Sequence, residues 1–133
     1  MSEWRWLTTE VILAIHDEQL AEHGGRPGIR DLALLESALA RPINRAAYSA
    51  ATAVDLAAAY AFGIIRDHPF VDGNKRVAFL SAALFLLEHG WEITATDEAI
   101  VRVMLSLAEG TVDEGAFASW LTQNTTRAGS PSA

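Results

Sequence analysis

TAVDLAAAYAFGIIRDHPFVDGNKRVAFLSAALFLLEH, residues 52 to 89, consists of two apolar segments joined by a charged loop. The first, from about Thr52 to Arg66, carries Ala57, Ala58, Ala59, Tyr60, Phe62, Ile64 and Ile65 and has almost no polar face. The second, from about Asn74 to His89, does the same with Phe79, Leu80, Leu84, Phe85, Leu86 and Leu87. A helix that is apolar on nearly every side must be enclosed by other helices, so both are expected at the centre of an all-α bundle. The longest apolar run, Val77 to Leu87 with Ser81 inside it, is about half of the ~20 residues that a bilayer crossing needs. It belongs to a protein core, and no membrane association is expected.

The flanking sequence supplies the enclosing helices. Thr8 is a plausible cap for a helix carrying Val11, Ile12, Ile15 and Leu20, which Gly24-Gly25 stops. Asp31 caps a second helix whose Leu32, Leu35, Ala38 and Leu39 recur at spacings of three and four; Arg41-Pro42 is expected to end it near Ala40. Pro42 to Ala50 shows no clear period. Trp91 to Thr96 suits a short extended segment, and Thr96 or Asp97 opens a helix through Val101, Met104, Leu105 and Ala108. Thr111-Val112-Asp113-Glu114 reads as a capping box for a last helix with Phe117, Trp120 and Leu121. The expected organisation is one domain over residues 1–124, about six helices, and a disordered polar tail over residues 125–133.

Composition narrows the chemistry. The chain has 133 residues, 50% of them hydrophobic and 20% charged, which suits a globular protein with a substantial core. Its formal charge of -7 argues against direct, nonspecific nucleic-acid binding, which depends on clustered Lys and Arg. No cysteine is present, so disulfides and thiolate metal sites are excluded and a cytoplasmic location is expected. Met1 to Glu10 has no basic region followed by an apolar run, the mark of a signal peptide.

The only lysine in the chain, Lys75, sits in the loop His68-Pro69-Phe70-Val71-Asp72-Gly73-Asn74-Lys75-Arg76. Gly73 and the start of the following helix place free backbone N–H groups and the positive end of a helix dipole beside Asn74, Lys75 and Arg76, a natural phosphate site. His68 either satisfies the end of the preceding helix or, as neutral imidazole, takes a proton from an attacking hydroxyl. Asp72 either caps the next helix or holds Mg2+ that bridges it to phosphate oxygens, since a bare carboxylate would repel them. Phe70 reads as core, anchoring the loop. Arg66 is either a helix cap or a pocket residue. His16, His23 and His89 have no carboxylate or glycine company and read as structural.

These residues resemble the Fic/Doc superfamily signature H-x-F-x-[D/E]-G-N-x-R, which HPFVDGNKR matches without a gap. Ile15-His16-Asp17, Glu22-His23-Gly24-Gly25, Gly28-Ile29-Arg30-Asp31 and Leu35-Glu36-Ser37-Ala38 look like the opening of the Doc, or death-on-curing, branch. The resemblance covers about residues 5 to 124 and implies a compact all-α bundle. The adenylyl-transferring Fic pattern continues G-N-G-R-x-x-R; this chain has Lys75 in place of that glycine and Phe79 in place of the second arginine. Both departures point to the Doc branch. A lysine fills the space that a glycine leaves for phosphate and presents a point charge instead. Gly73 differs from the alanine frequent in Doc and keeps Fic-type AMP transfer open.

The resemblance implies transfer of the gamma phosphate of ATP to a threonine of elongation factor Tu, which blocks translation. His68 would be the general base and Asp72 the Mg2+ ligand. Gly73, Asn74, Lys75 and Arg76, with Arg66 assisting, would bind the phosphates. The family's target-holding flap corresponds to Pro42 to Ala50, where Ile43 and Tyr48 are the candidate contacts; an ordinary surface loop is the other reading. The inhibitory S/T-x-x-x-E-G/N helix of some Fic proteins does not occur here. Control would come from a separate antitoxin whose C-terminal tail folds into a groove. A non-catalytic antitoxin-binding member is a further alternative.

Overall fold

The computed structural model describes residues 4–129, and local side-chain caps set most of its helix starts. Thr8 accepts the Val11 N–H and opens α1 (Thr9–His23), and Asp31 accepts the Leu34 N–H and opens α2 (Leu32–Tyr48). Thr52 and Asp55 form a reciprocal capping box at the start of α3 (Ala53–Asp67). Thr96 caps α5 (Asp97–Glu109) and Asp113 caps α6 (Glu114–Gln123). Only α4 (Asn74–Glu88), which begins after Gly73, has no side-chain cap among the described helices. Two three-residue strands, β1 (Trp91–Ile93) and β2 (Thr125–Arg127), pair antiparallel with Trp91 opposite Arg127.

The result is the expected all-α fold, with α3 at its centre. That helix packs against α2, α4, α5 and α6, and Leu56 through Ala61, Gly63 and Ile64 are all buried along it. Helix α4 packs against α1, α3, α5 and β1, with Val77, Ala78, Ala82, Phe85 and Leu86 inside. No helix among the described residues is long and apolar enough to cross a membrane.

Three local expectations are corrected. Helix α2 does not stop near Ala40 but continues through a buried Pro42 to Tyr48. Proline removes one N–H from a helix interior and crowds the preceding turn, so tertiary contacts must hold the second half. Arg41 pairs with Glu114, and Arg45 lies 3.8 Å from Asp55 and 3.9 Å from Glu114. Gly63 allows the approach: a β-carbon there would sit 2.9 Å from Arg41 Cδ and 3.2 Å from the Ala38 carbonyl oxygen. Ile43 and Tyr48, both exposed, therefore ride on a helix instead of a flap loop.

The second correction is at α6, which starts two residues later than the Thr111 box implies. Asp113 is its cap, Thr111 donates to the Ser106 carbonyl, and Glu114 is engaged by the α2 arginines. Third, the tail is ordered at Thr125–Arg127, because β1 offers a backbone edge and the Arg127 guanidinium stacks 5.3 Å over the Trp91 ring. The rest of the expected tail from residue 130 onward lies outside the described residues.

The N-terminal arm is tied down by two side chains that accept its backbone donors. Arg5 N–H donates to His89 Nε2 (3.0 Å), and Leu7 N–H donates to the hydroxyl of fully buried Tyr60 (2.9 Å). Burial pushes the Tyr60 phenol up to about 12, against the smaller opposing pull of the Leu7 N–H. Tyr60→Phe should cost about 1–3 kcal/mol by leaving that N–H unpaired, as read from urea unfolding. Because the folded state holds the phenolic proton beyond the ordinary value of 10.0, wild-type stability should fall as pH rises from 10.0 to about 12. The difference between wild type and variant should therefore narrow across that window.

Candidate functional site

The loop between α3 and α4 is polar backbone emerging from the two most apolar helices, and each of its groups needs a partner. Residues 28–31 supply several. Arg30 and Asp31 N–H both donate to the Pro69 carbonyl (2.7 and 3.1 Å), and Val71 N–H donates to the Gly28 carbonyl (3.1 Å). Ile29 and Phe70 form an antiparallel bridge between the two segments. Phe70 is completely buried, as its sequence position suggested.

His68 ends α3 in the left-handed region, at φ 50° and ψ 56°, the only non-glycine residue with positive φ among those described. That conformation costs on the order of 1–2 kcal/mol, and proline at the next position does not favour it. Arg30 offsets the cost. Its Nε donates to the His68 carbonyl (2.6 Å) and its Nη2 to the Asp67 carbonyl (2.7 Å). The cap function considered for Arg66 thus falls to Arg30. Arg66 is exposed in the last turn of α3 and makes no hydrogen bond or ion pair among the described residues. The imidazole of His68 is exposed and likewise without a hydrogen-bond partner among them, while its backbone is held on both sides.

Asp72 is not the cap of α4; Gly73 occupies that position, at φ 84°. The exposed Asp72 carboxylate instead accepts two backbone donors, Arg26 N–H at Oδ2 (3.1 Å) and Gly73 N–H at Oδ1 (2.9 Å). These bonds, the one from Arg26 foremost, with the nearby positive charges of Arg26 and Arg76, hold the carboxyl below the usual carboxylate range. Each oxygen accepts one of these two bonds. Gly25 brings the chain close enough for this: a β-carbon there would lie 3.0 Å from Asp72 Oδ2.

Lys75 and Arg76 are exposed at the uncapped start of α4, where the first-turn N–H groups have no intrahelical partner. Asn74 behaves differently from the phosphate contact expected of it. Its side chain is buried, with Oδ1 accepting the Phe70 N–H (3.0 Å) and Nδ2 donating to the Phe70 carbonyl (2.9 Å). Both ends of the amide are engaged within the loop, so only its main-chain N–H faces the anion position. Phe79, at the site of the absent second arginine, packs against the core.

Sequence reasoning also set aside His16 as merely structural. It is buried on α1, and its Nε2 donates to the Asp72 carbonyl (2.9 Å), 56 residues away. Ile15-His16-Asp17 and Gly28-Ile29-Arg30-Asp31 both lie in stretches that resemble the Doc branch, but nothing in that resemblance announces the contact of His16 with Asp72.

A cleft of about 520 Å3 lies elsewhere, lined by Arg41, Arg45, Asp55, Glu114 and neighbours on α2, α3 and α6. It flanks the N-terminal half of α3, whereas the motif loop follows its C-terminus. Its two arginines pair with its two carboxylates, so it offers phosphate little net attraction.

The chain is similar to known proteins over most of its length. A family model described as the Fic/DOC family matches residues 6–86. The "Protein kinase doc" of Escherichia phage P1 is 31% identical over 118 residues, covering 88% of this chain and 93% of that protein. The "Toxin Doc" of Mycolicibacterium smegmatis is 40% identical over 76 residues, covering 54% of this chain and 57% of that toxin.

The Asn74 clamp carries a stability prediction. Asn74→Ala leaves the buried Phe70 N–H and carbonyl without their partners and should cost about 2–4 kcal/mol by chemical denaturation, at about 1–3 kcal/mol for a stranded buried group. Lys75→Ala, at an exposed position, should stay within about 0.5 kcal/mol of wild type.

Proposed function

The chain belongs to the Fic/Doc family, and from that premise we propose that it is a Doc-type toxin that transfers the gamma phosphate of ATP to a threonine hydroxyl of elongation factor Tu and so blocks translation. The observation that carries this reading is the meeting, on one pinned loop, of an exposed imidazole, a carboxylate held ionised and the one helix N-terminus without a side-chain cap among the described residues. The phage relative's name, a protein kinase, and the mycobacterial relative's name, a toxin, support it.

In this mechanism His68 accepts the proton of the threonine hydroxyl as its oxygen attacks the gamma phosphorus. The bond from that phosphorus to the bridging oxygen breaks, and ADP leaves. Lys75, Arg76 and the first-turn N–H groups of α4 bind and neutralise the phosphate oxygens as charge shifts toward the leaving group. Arg66, exposed beside the loop, is available to assist.

Asp72 fits Mg2+ in a limited way. Among the described residues no three acidic or histidine side chains converge, so the protein would supply one carboxylate and the nucleotide the remaining anionic oxygens, an arrangement usual for Mg2+. Bound there, Mg2+ would draw charge from the phosphates. The backbone bonds from Arg26 and Gly73 favour the ionised form of Asp72, which supports this reading. The intracellular target implies action in the cytoplasm. An antitoxin whose tail folds onto this protein as a helix would restrain it.

Purified protein incubated with elongation factor Tu and ATP labelled on the gamma phosphate should transfer label to the factor. His68→Ala should reduce transfer by about 10^2–10^4-fold, and Lys75→Ala by about 10^2-fold with little change in melting temperature. Label arriving from the alpha phosphate would identify AMP transfer instead. Growth inhibition unaffected by His68→Ala would identify a non-catalytic role.

A further inference from the structure

His16 takes no part in the proton or phosphate movements above, yet it is 3% exposed and contacts Phe70 and Asp72 of the motif loop. Its ring stacks on Phe70, with centroids 4.0 Å apart and planes 15° from parallel. Its Nε2 lies 2.9 Å from the Asp72 carbonyl oxygen, and a carbonyl only accepts, so Nε2 carries the hydrogen. Its Cδ2 edge lies 3.7 Å from where a Gly73 β-carbon would be.

The bond to the carbonyl matters because of what shares that peptide. The Asp72 carbonyl and the Gly73 N–H belong to one rigid plane, and the Gly73 N–H donates to Asp72 Oδ1. Fixing the carbonyl therefore fixes the direction of the N–H that holds the carboxylate. Arg26 N–H holds the other oxygen. From α1 to Oδ1 the linkage is continuous: His16 Nε2–H, the Asp72 carbonyl, the Gly73 N–H, the carboxylate.

We infer that His16 is a positioning residue which, through the Asp72–Gly73 peptide, aims the Asp72 carboxylate at the metal–nucleotide. The inference rests on the reading of Asp72 as the Mg2+ ligand. Burial of a filler side chain would need only the stacking on Phe70, whereas positioning needs the N–H donor. Outer groups that orient a metal ligand typically change metal affinity by about 10–100-fold.

Glutamine and methionine have similar length, and only glutamine keeps an N–H. The preformed complex of Mn2+ with adenosine β,γ-imidotriphosphate is titrated with the full chain carrying His16→Gln or His16→Met, protein-bound Mn2+ being read by the enhancement of water-proton relaxation over the nucleotide complex alone. Hydrogen exchange at the Gly73 amide is followed in parallel. His16→Met should weaken Mn2+ binding about tenfold or more and expose the Gly73 amide to exchange, with amides in the middle of α3 unchanged. His16→Gln should stay near wild type in both readouts. Equal behaviour of the two variants, or misfolding confined to His16→Met, would overturn the positioning role. Wild-type protein that binds no Mn2+ with the nucleotide would overturn the metal reading of Asp72 and the aim assigned to His16 with it. Normal wild-type binding with the Met variant unchanged would overturn the role of His16 alone.

Discussion

A polar loop leaving two buried helices must have its backbone groups satisfied, and this requirement governs the site. More than half of the bonds that meet it come from far along the chain. Segment 25–31 supplies N–H donors to the Pro69 carbonyl and the Asp72 carboxylate, Arg30 closes the end of α3, and His16 takes the Asp72 carbonyl. Asn74 completes the set by holding both main-chain groups of Phe70. With the backbone so fixed, the exposed His68, Asp72, Lys75 and Arg76 are mounted on a frame that need not reorganise as charge moves. That is the condition under which electrostatic stabilisation is most effective.

The same frame reconciles an acidic protein with the proposed anion site. A formal charge of -7 repels polyanions at long range. Near the loop, however, Arg26 and Arg76 act together on Asp72, and the α4 N-terminus adds its dipole without a side-chain cap to occupy it. Five other helices carry an oxygen cap at this position. The lone lysine of the chain stands at the one N-terminus left free, which separates the loop from a general basic surface.

The legibility of the fold followed the range of the forces that made it. Helix caps at Thr8 and Asp31 act within about three residues, so they are legible from spacing. The all-round apolar character of α3 and α4 announced their central place. The end of α2 was misplaced because Pro42 was weighed by its local effect, whereas Gly63 on another helix and the Arg41–Glu114 pair across the bundle outweigh that effect. Thr125–Arg127 was read as tail because a three-residue strand has no signature of its own; its partner β1 defines it.

Residue chemistry alone thus established the helical class, the two central helices and the loop where imidazole, carboxylate and cations gather, because these depend on side-chain type and on neighbours within one or two turns. Sequence could not tell which of the motif's polar groups face outward. Folding turned Asn74 inward to clamp Phe70, assigned the α3 cap to Arg30 instead of Arg66, and brought His16 to Asp72 across 56 residues. A hydrogen bond at that separation is set by how α1 packs on α4, and no local pattern encodes the packing of two helices.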